Sequence, residues 1–521
     1  MSVMTACVIE VKGILKMNAK RKAVYVALFV CAAMLIVFLK SVLQGGGEAA
    51  ARSDEQDSPG DVSMSITNPN REIRGVWIAS VYNINFPSAK NLGSDVLMRE
   101  LDDIVRTASL NGLNTILFQV RPMCDALYKS SLFPVSAVVS DDRTLPDGFD
   151  PLAYIIEAAH AEDIAVYAWI NPFRVTTGGA DSIEAALDSL PDTSPAKQNP
   201  EWCVFYNKQL LLNPGLPEVR KLVADGVSEI AEGYAVDGII FDDYFYPYPA
   251  EGEIFDDSDA YALYGGGLEI GDFRRESVNA LVKECYEAVK AYGTLCNFGV
   301  SPFGIWRNAS SDGNGSETSG LQAYDSLYCD ALAWAAGGYV DFLAPQIYWQ
   351  FTNERAPYET LLNWWNSSLD GTSVKLLISH GTYNSAEWGT EGEIERQITA
   401  ARQKLCYYGS LQYGYASIKA NDMNLESQLS AVYCDEIIYS DPVSNGREFK
   451  VYTPEYGSSV NDGEVLISGI SDPGAALSVD GKAVGRNKDG SFEFIIPLSP
   501  GKNTFEFTQG EKTYEYILYR N

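Results

Sequence analysis

From residue 71 onward the chain alternates short apolar, strand-like runs with amphipathic, helix-like stretches, and it does so eight times. The strand-like runs fall at 74–82, 114–120, 164–170, 236–242, 297–302, 341–347, 374–379 and 413–418. The first helix opens at Ser94, carries Leu97, Leu101, Ile104, Val105 and Ala108 along one face, and ends at Gly112. Further helical stretches occupy 150–162, 217–232, 272–292, 321–336, 357–369, 391–405 and 422–434. Repeated strand–helix units demand a parallel sheet, and eight of them close it into a (β/α)8 TIM barrel, an α/β fold. An open doubly wound sheet would use fewer units and place a glycine-rich phosphate loop after the first strand; residues 81–85 read V-Y-N-I-N instead. Gly265-Gly266-Gly267 has no strand before it and reads as a turn.

The chain has 521 residues, well beyond the roughly 250 that a barrel of this kind occupies. After Asp441-Pro442 the pattern becomes short alternating strands at 449–452, 464–468, 476–479, 492–496, 503–508 and 513–519, with hairpin turns at Asp480-Gly481 and Asp489-Gly490. Residues 443–521 are therefore expected to form a small all-β sandwich after a barrel at 71–440. Through S-D-P-G-A (471–475), V-D-G-K (479–482), D-G-S-F (489–492) and P-G-K-N (500–503), this part resembles the bacterial immunoglobulin-like modules appended to extracellular carbohydrate enzymes. The resemblance implies a spacer or a packing partner for the barrel.

Charge and the N-terminus narrow the partners. The 39 Lys and Arg against 69 Asp and Glu give a net charge of -30, which repels phosphate backbones, so no nucleic-acid partner is expected. Lys20-Arg21-Lys22 precedes an apolar run at 23–39, at the lower length limit of a membrane-spanning helix, and the basic flank stays inside. Residues 1–44 are expected to be a cytoplasmic basic tail and membrane anchor. Residues 45–70, rich in Gly, Ala, Ser, Asp and Asn, are expected to be a flexible linker to a barrel outside the cytoplasm. Ala49-Ala50-Ala51 offers the alternative of cleavage and secretion. Nine scattered cysteines lack the spacing of a disulfide framework or a zinc site. With His160 and His380 the only histidines, neither a metal nor a cofactor is expected. His160, at the end of a helix far from the loops, reads as structural, and His380, after the seventh strand, as a weak site candidate.

Carboxylate chemistry is the better prospect. At 236–249, V-D-G-I-I-F-D-D-Y-F-Y-P-Y-P, an apolar strand delivers Asp242 and Asp243 into an aromatic, proline-rich loop. Barrels build their sites at the carboxyl ends of strands, and the loops at 122–150, 172–214, 244–271 and 303–320 are long enough to wall a cleft there. The expected binding residues are Arg121 after the second strand, Asn171 and Arg174 after the third, and Tyr244 after the fourth. Trp306 and Arg307 follow the fifth strand, and Gln346, Tyr348 and Trp349 belong to the sixth. Rings for the CH faces of a sugar and polar groups for its hydroxyls suit a polysaccharide or glycan-strand substrate.

Hydrolysis of a glycoside needs two carboxyl groups, about 5 Å apart for retention and roughly 6.5–9.5 Å for inversion. Asp242 is the first choice. Neighbours in a strand point to opposite sides, so Asp243 is expected to orient a residue such as Arg121 or Arg174 when Asp242 faces the mouth, or the reverse. The second carboxylate is sought in Asp125, with Asp312 and Glu317 behind it. The seventh strand ends in Ser379-His380 without a Glu, against an arrangement with its nucleophile there. A non-catalytic glycan-binding or scaffold protein is the alternative, and a lyase using Tyr244 or Tyr348 as base ranks last.

Six ordered motifs, R-G-V-W (74–77), Q-V-R-P with D-A-L-Y (119–128), W-I-N-P-F-R (169–174), D-G-I-I-F-D-D-Y-F-Y-P (237–247), G-V-S-P-F-G-I-W-R-N (299–308) and A-P-Q-I-Y-W (344–349), resemble the glycosyl-hydrolase-like 10 family, also called DUF187. The resemblance spans about 71–435. It implies a TIM barrel acting on glycans of the cell envelope, with denuded peptidoglycan strands as substrate. Asn85-Phe86 stands where the family pattern has Asp-Trp, and Asp272-Phe273-Arg274 where it has a Trp-Arg-Arg type sequence.

Overall fold

Apolar runs flanked by helices must pair side by side, and here they pair until the sheet meets itself. The computed structural model describes residues 71–292, 296–434, 449–472, 475–486, 490–510 and 512–521. Its barrel strands are β1 (Ile73–Ile78), β2 (Thr115–Arg121), β3 (Ala165–Ile170), β6 (Gly238–Phe241), β7 (Asn297–Val300), β8 (Phe342–Leu343), β9 (Gln346–Ile347), β10 (Lys375–His380) and β11 (Tyr407–Gln412). A hairpin of β4 (Cys203–Tyr206) and β5 (Gln209–Leu212) folds within the loop after β3. The strands are parallel and β11 pairs with both β10 and β1, which closes the barrel. β8 and β9 are two pieces of the sixth strand, both paired with β10. They part around Pro345, which has no N–H for the ladder.

Large rings fill the barrel interior. Trp77, Tyr167, Trp169, Phe342 and Tyr408 pack there with Leu117, Ile240, Leu377 and Leu411. Two glycines make the room: a Cβ on Gly238 would meet the Tyr167 ring at 2.8 Å, and one on Gly299 the Phe342 ring at 2.4 Å. The outward faces of the strands pack under the helices, including Ser94–Leu110, Pro151–His160, Pro217–Gly233, Ile270–Tyr292 and Tyr358–Leu369.

A recurrent polar device closes the lower end. The residue just before a strand accepts the N–H of the neighbouring strand: Asn114 from Arg74 at 2.9 Å, Asp237 from Val166 at 2.8 Å, and Asp341 from Phe298 at 2.6 Å. Asp237 also meets His160 Nε2 at 2.8 Å, which makes this histidine structural, as expected. At the β1–β11 seam the buried Glu72 accepts from Arg74 Nε at 2.8 Å, from Arg402 Nε and Nη2 at 2.7 Å, and from the Tyr407 hydroxyl at 3.2 Å.

The expected barrel is present, with local corrections. β1 stops at Ile78 because the chain turns at Val81–Asn83, where Tyr82 and Asn83 take positive φ. The eighth strand is Tyr407–Gln412, and most of the expected 413–418 is the short helix Tyr415–Lys419. The true strand was hidden by Gly409, Ser410 and Gln412, whose polar members are satisfied inside: Ser410 by His380 and Tyr407, Gln412 by Thr382. His380 is buried, bonded to Ser410 and Gln397, and pushed down to about 4 by burial; it does not reach the cleft.

The C-terminal part is all-β, as expected. β12 (Lys450–Thr453), β14 (Glu464–Ile470) and β17 (Ser491–Pro497) form one sheet. β13 (Ser459–Val460), β15 (Leu477–Val479), β16 (Lys482–Ala483), β18 (Gly501–Gln509) and β19 (Lys512–Arg520) form the other. Ile467, Phe492 and Ile496 of the first share a core with Phe505, Phe507, Tyr516 and Leu518 of the second.

No disulfide joins the described cysteines. Cys124, Cys285 and Cys329 are buried, Cys203, Cys296 and Cys406 half-buried, and Cys434 exposed. Burial pushes the Cys124, Cys203 and Cys296 thiols up to about 12. No helix among the described residues is long and apolar enough to cross a membrane, and the expected anchor at 23–39 and linker at 45–70 lie outside them. Replacing Glu72 with Gln removes the negative charge that two guanidiniums share in a buried seam. Urea unfolding of this variant is expected to show a loss of about 3–5 kcal/mol, the usual cost of breaking a buried ion pair.

Candidate active site

β6 ends at Phe241, and the chain turns at once: the amide of Tyr244 donates to Asp242 Oδ1 at 3.3 Å and that of Phe245 to the Asp243 carbonyl at 3.1 Å. Strand alternation therefore stops before the two acids, and both carboxyls enter the same cleft, against the expectation that one would turn away. The cleft has a volume of about 530 Å³, within the range of small-molecule sites. Its floor is the top of the barrel core. Trp77 and Trp169 meet edge to face at 4.9 Å, Trp77 Nε1 donates to Ser379 Oγ at 3.1 Å, and Tyr348 stacks on Tyr413 at 5.7 Å.

The two carboxyls have different surroundings. Asp242 accepts from Trp169 Nε1 at 3.0 Å and from Asn171 Nδ2 at 3.1 Å. Burial raises its pKa, while the Arg174 charge and these donors oppose the rise. Asp243 accepts from the Tyr248 hydroxyl and from Gln346 Nε2, the latter at 3.0 Å. Burial pushes Asp243 up to about 6, helped by the negative charge of Asp242 and opposed by the Tyr248 hydrogen bond. Burial thus raises both; Asp243, up to about 6, keeps its proton into the weakly acid range, while Asp242 is held among donors near the Arg174 charge.

Of the other expected residues, Tyr244, Gln346, Tyr348 and Trp349 line the cleft. Asn171 acts through Asp242, and Arg174 lies over the Tyr244 ring at 4.7 Å and donates to the Pro122 carbonyl. Burial pushes the Tyr348 hydroxyl well up, so it is a poor base for a lyase.

Six of the expected residues are held away from the cleft. The first is Arg121, which is fully buried, with its guanidinium 3.7 Å from the Phe133 ring and no hydrogen-bond acceptor among the described residues. A one-residue bulge between Gln119 and Arg121 turns this side chain from the barrel mouth to the outer layer, where Gly226 leaves it room. Asp125 also lies elsewhere, in a separate cavity of about 330 Å³ with Lys90 and Arg143, whose Nη1 is 3.5 Å from it. Trp306 stacks on Trp364 of the helix Tyr358–Leu369 at 5.7 Å, and Arg307 pairs with Asp312 at 2.7 Å and Asp325 at 2.9 Å, so both serve to fix the loop after β7. That ion pair also accounts for Asp312, one of the reserve carboxylates; the other, Glu317, is exposed and does not line the cleft.

Sequence reasoning missed Trp77, Tyr248, Phe303, Tyr383, Glu387, Trp388 and Tyr413 as cleft residues. Glu387 comes from the short helix Ser385–Trp388 after β10, so the seventh unit does bring a carboxylate to the cleft, a few residues beyond the strand end. Asn85, at the departure from the family pattern, accepts from the Ala79 amide at 2.9 Å through its side-chain oxygen. A carboxylate could accept the same bond.

A parallel barrel with two buried, unequal carboxyls in an aromatic cleft at the carboxyl ends of its strands is the frame of a glycoside hydrolase. The chain belongs to the glycosyl hydrolase-like 10 family, whose sequence profile matches residues 72–389. It is 36% identical over 375 residues to glycosyl hydrolase YngK of Bacillus subtilis (strain 168), covering 70% of this chain and 72% of that one. It is 32% identical over 387 residues to glycosyl hydrolase DigH of Escherichia coli (strain K12), covering 71% and 85%. Among solved structures, the glycoside hydrolase domain of PgaB (BpsB) from Bordetella bronchiseptica aligns with 70% of this chain and 98% of its own, at 13% identity and a TM-score of 0.46.

Two outcomes follow for the acid pair. Because Asp243 is raised to about 6 from 3.8, the folded state keeps a proton that the unfolded chain releases between those values. Stability therefore declines as pH rises through that window, by up to about 3 kcal/mol. Asp243→Asn removes this dependence, so its Tm relative to the parent is expected to climb between pH 4 and 7 as scanning calorimetry follows both. Trp169→Phe deletes a donor to Asp242, and kcat/KM on a cleavable glycan is expected to fall about tenfold while the acid limb of its pH profile moves upward.

Proposed function

We propose that the protein hydrolyses O-glycosidic bonds in cell-envelope glycan, with peptidoglycan glycan strands as the substrate. In this reading Asp243 is the general acid that protonates the leaving oxygen. Asp242 is the ionised partner, against which positive charge at the anomeric carbon develops. The observation that carries it is a pair of adjacent buried carboxyls in one aromatic cleft with different partners, Asp242 bonded to Trp169 and Asn171 and Asp243 to Tyr248 and Gln346. A glycan-binding scaffold would gain hydrogen bonds and stacking from the same walls, but it has no use for a buried carboxyl whose proton leaves near pH 6. The likeness to glycosyl hydrolases YngK and DigH supports the reaction class.

The location belongs to the same proposal. The Lys20-Arg21-Lys22 flank and the apolar run at 23–39 favour a single-pass anchor with the barrel outside the cytoplasm, or a secreted form after cleavage. The C-terminal β-sandwich serves, on its motifs, as an immunoglobulin-like spacer beside the barrel.

Digestion of purified glycan strands, with and without stem peptides, by the full chain and by Asp243→Asn tests the reaction. Mass spectrometry is expected to show new reducing ends with the parent and a loss of about 100-fold or more with the variant, and kcat/KM is expected to decline above about pH 6, as Asp243 loses its proton. Retained binding without products from either form would replace the hydrolase with the binding protein.

A further inference from the structure

We infer that the aromatic floor beside Asp242 binds the 2-acetamido group of the sugar being cleaved, and that the carbonyl oxygen of this group, rather than an enzyme carboxylate, attacks the anomeric carbon. The inference rests on the hydrolase reading above and assigns the role of Asp242 within it. Three features lead to it.

The first is adjacency. Consecutive residues have Cα atoms about 3.8 Å apart, so Asp242 and Asp243 approach a bound sugar from one wall of the cleft. An enzyme nucleophile and its acid partner flank the scissile bond from two sides. The second is the opposite wall. Glu387 is the other carboxylate among the described cleft residues, but it is exposed and stands on a four-residue helix. No hydrogen bond from the described residues fixes it. A nucleophile must be held within about 3–3.5 Å of the reacting carbon and in line with the leaving bond, and no described residue holds Glu387 so.

The third feature is the floor itself. Trp77, Trp169, Tyr348 and Tyr413 line the cleft next to Asp242, and Trp169 donates to that carboxylate at 3.0 Å. An aromatic floor bordered by a fixed carboxyl acceptor fits an acetamido group. Its methyl packs on the rings and its N–H donates to Asp242, which turns the carbonyl oxygen toward the anomeric carbon. A sugar with only a hydroxyl at that position leaves these rings uncovered.

The steps balance without an external reactant other than water. The acetamido oxygen forms a bond to C1 as the C1–O bond to the leaving sugar breaks, and the proton of Asp243 passes to that departing oxygen. Asp242 takes the acetamido N–H proton, leaving a neutral bicyclic oxazoline. Asp243, now ionised, removes a proton from water, whose oxygen attacks C1 and opens the ring. Asp242 returns its proton to nitrogen. Two displacements at C1 retain the anomeric configuration.

The test is hydrolysis, by the full chain, of glycan oligosaccharides whose amino groups carry acetyl, fluoroacetyl or trifluoroacetyl. Fluorine withdraws electrons from the attacking oxygen, so kcat/KM is expected to fall stepwise, by about 100-fold or more across the series, with retained configuration by NMR. A flat series, an inverted product, or a glycosyl adduct on Glu387 by mass spectrometry overturns the inference while leaving the hydrolase intact. The 1,2-thiazoline analogue of N-acetylglucosamine, a stable mimic of the bicyclic intermediate, provides a readout without turnover. By calorimetry it is expected to bind the parent and Asp243→Asn, and to weaken about tenfold or more with Asp242→Asn. If no glycan is cut, the hydrolase reading falls, and thiazoline binding that depends on Asp242 still upholds the acetamido site; absence of that binding overturns it.

Discussion

The register between β3 and β6 is the constraint on which the site depends. Trp169 lies opposite Ile240 and Ile170 opposite Phe241, so the chain leaves both strands at the same height. One step further, Trp169 and Asn171 on one side meet Asp242 on the other, and their three side chains lock. A slip of one residue would send Trp169 to the outer layer and leave Asp242 buried without its donors, at a cost of several kcal/mol for an unsolvated charge. The bulge in β2 shows the same logic from the other direction. One extra residue turns Arg121 outward, although the Arg121 carbonyl still accepts the Asn171 amide at 2.9 Å and so continues to set the height of that residue.

Electrostatics then divides the labour between two acids that the chain makes neighbours. Both are buried, and burial alone would raise both. The difference lies in what each faces. Asp242 sits near Arg174, itself held by the Tyr244 ring and the Pro122 carbonyl, and receives an indole, an amide side chain and a backbone N–H. Asp243 receives a phenol and an amide but faces the charge of its neighbour. Identical side chains one residue apart thus meet different surroundings, and burial raises both.

Much of this was legible in the sequence, because the helix and strand periods set the alternation and the alternation sets the barrel. The helices at 94, 151, 217, 270, 358, 393 and 425 begin within a few residues of where capping and periodicity place them. The acids, Tyr244, Gln346, Tyr348 and Trp349 were also legible, since each sits at or just past a strand end. Reading failed where a side chain's direction depends on an irregularity. A bulge reversed Arg121, a tight turn brought Asp243 round beside Asp242, and an ion pair folded Arg307 into its own loop. Trp77 and Tyr413 were passed over because they read as core, which they are; the floor of the cleft and the roof of the core are the same layer. Glu387 lay beyond the strand end, on a helical turn that no short-range rule connects to the cleft.

The thiols described above carry a consequence for how the chain reaches this structure. A thiol that is screened and stays protonated does not attack a disulfide. In the finished fold the buried cysteines are therefore inert, and Cys434 alone among those described is exposed. In the unfolded chain all of them ionise near the ordinary value of about 8.5 and can pair at random. Closing the barrel means joining Ile73 to Gly409, a long-range pairing of the kind that forms late. Oxidising surroundings would thus act as a race between strand closure and sulfur chemistry, and the native state is reached by the molecules in which closure finishes first.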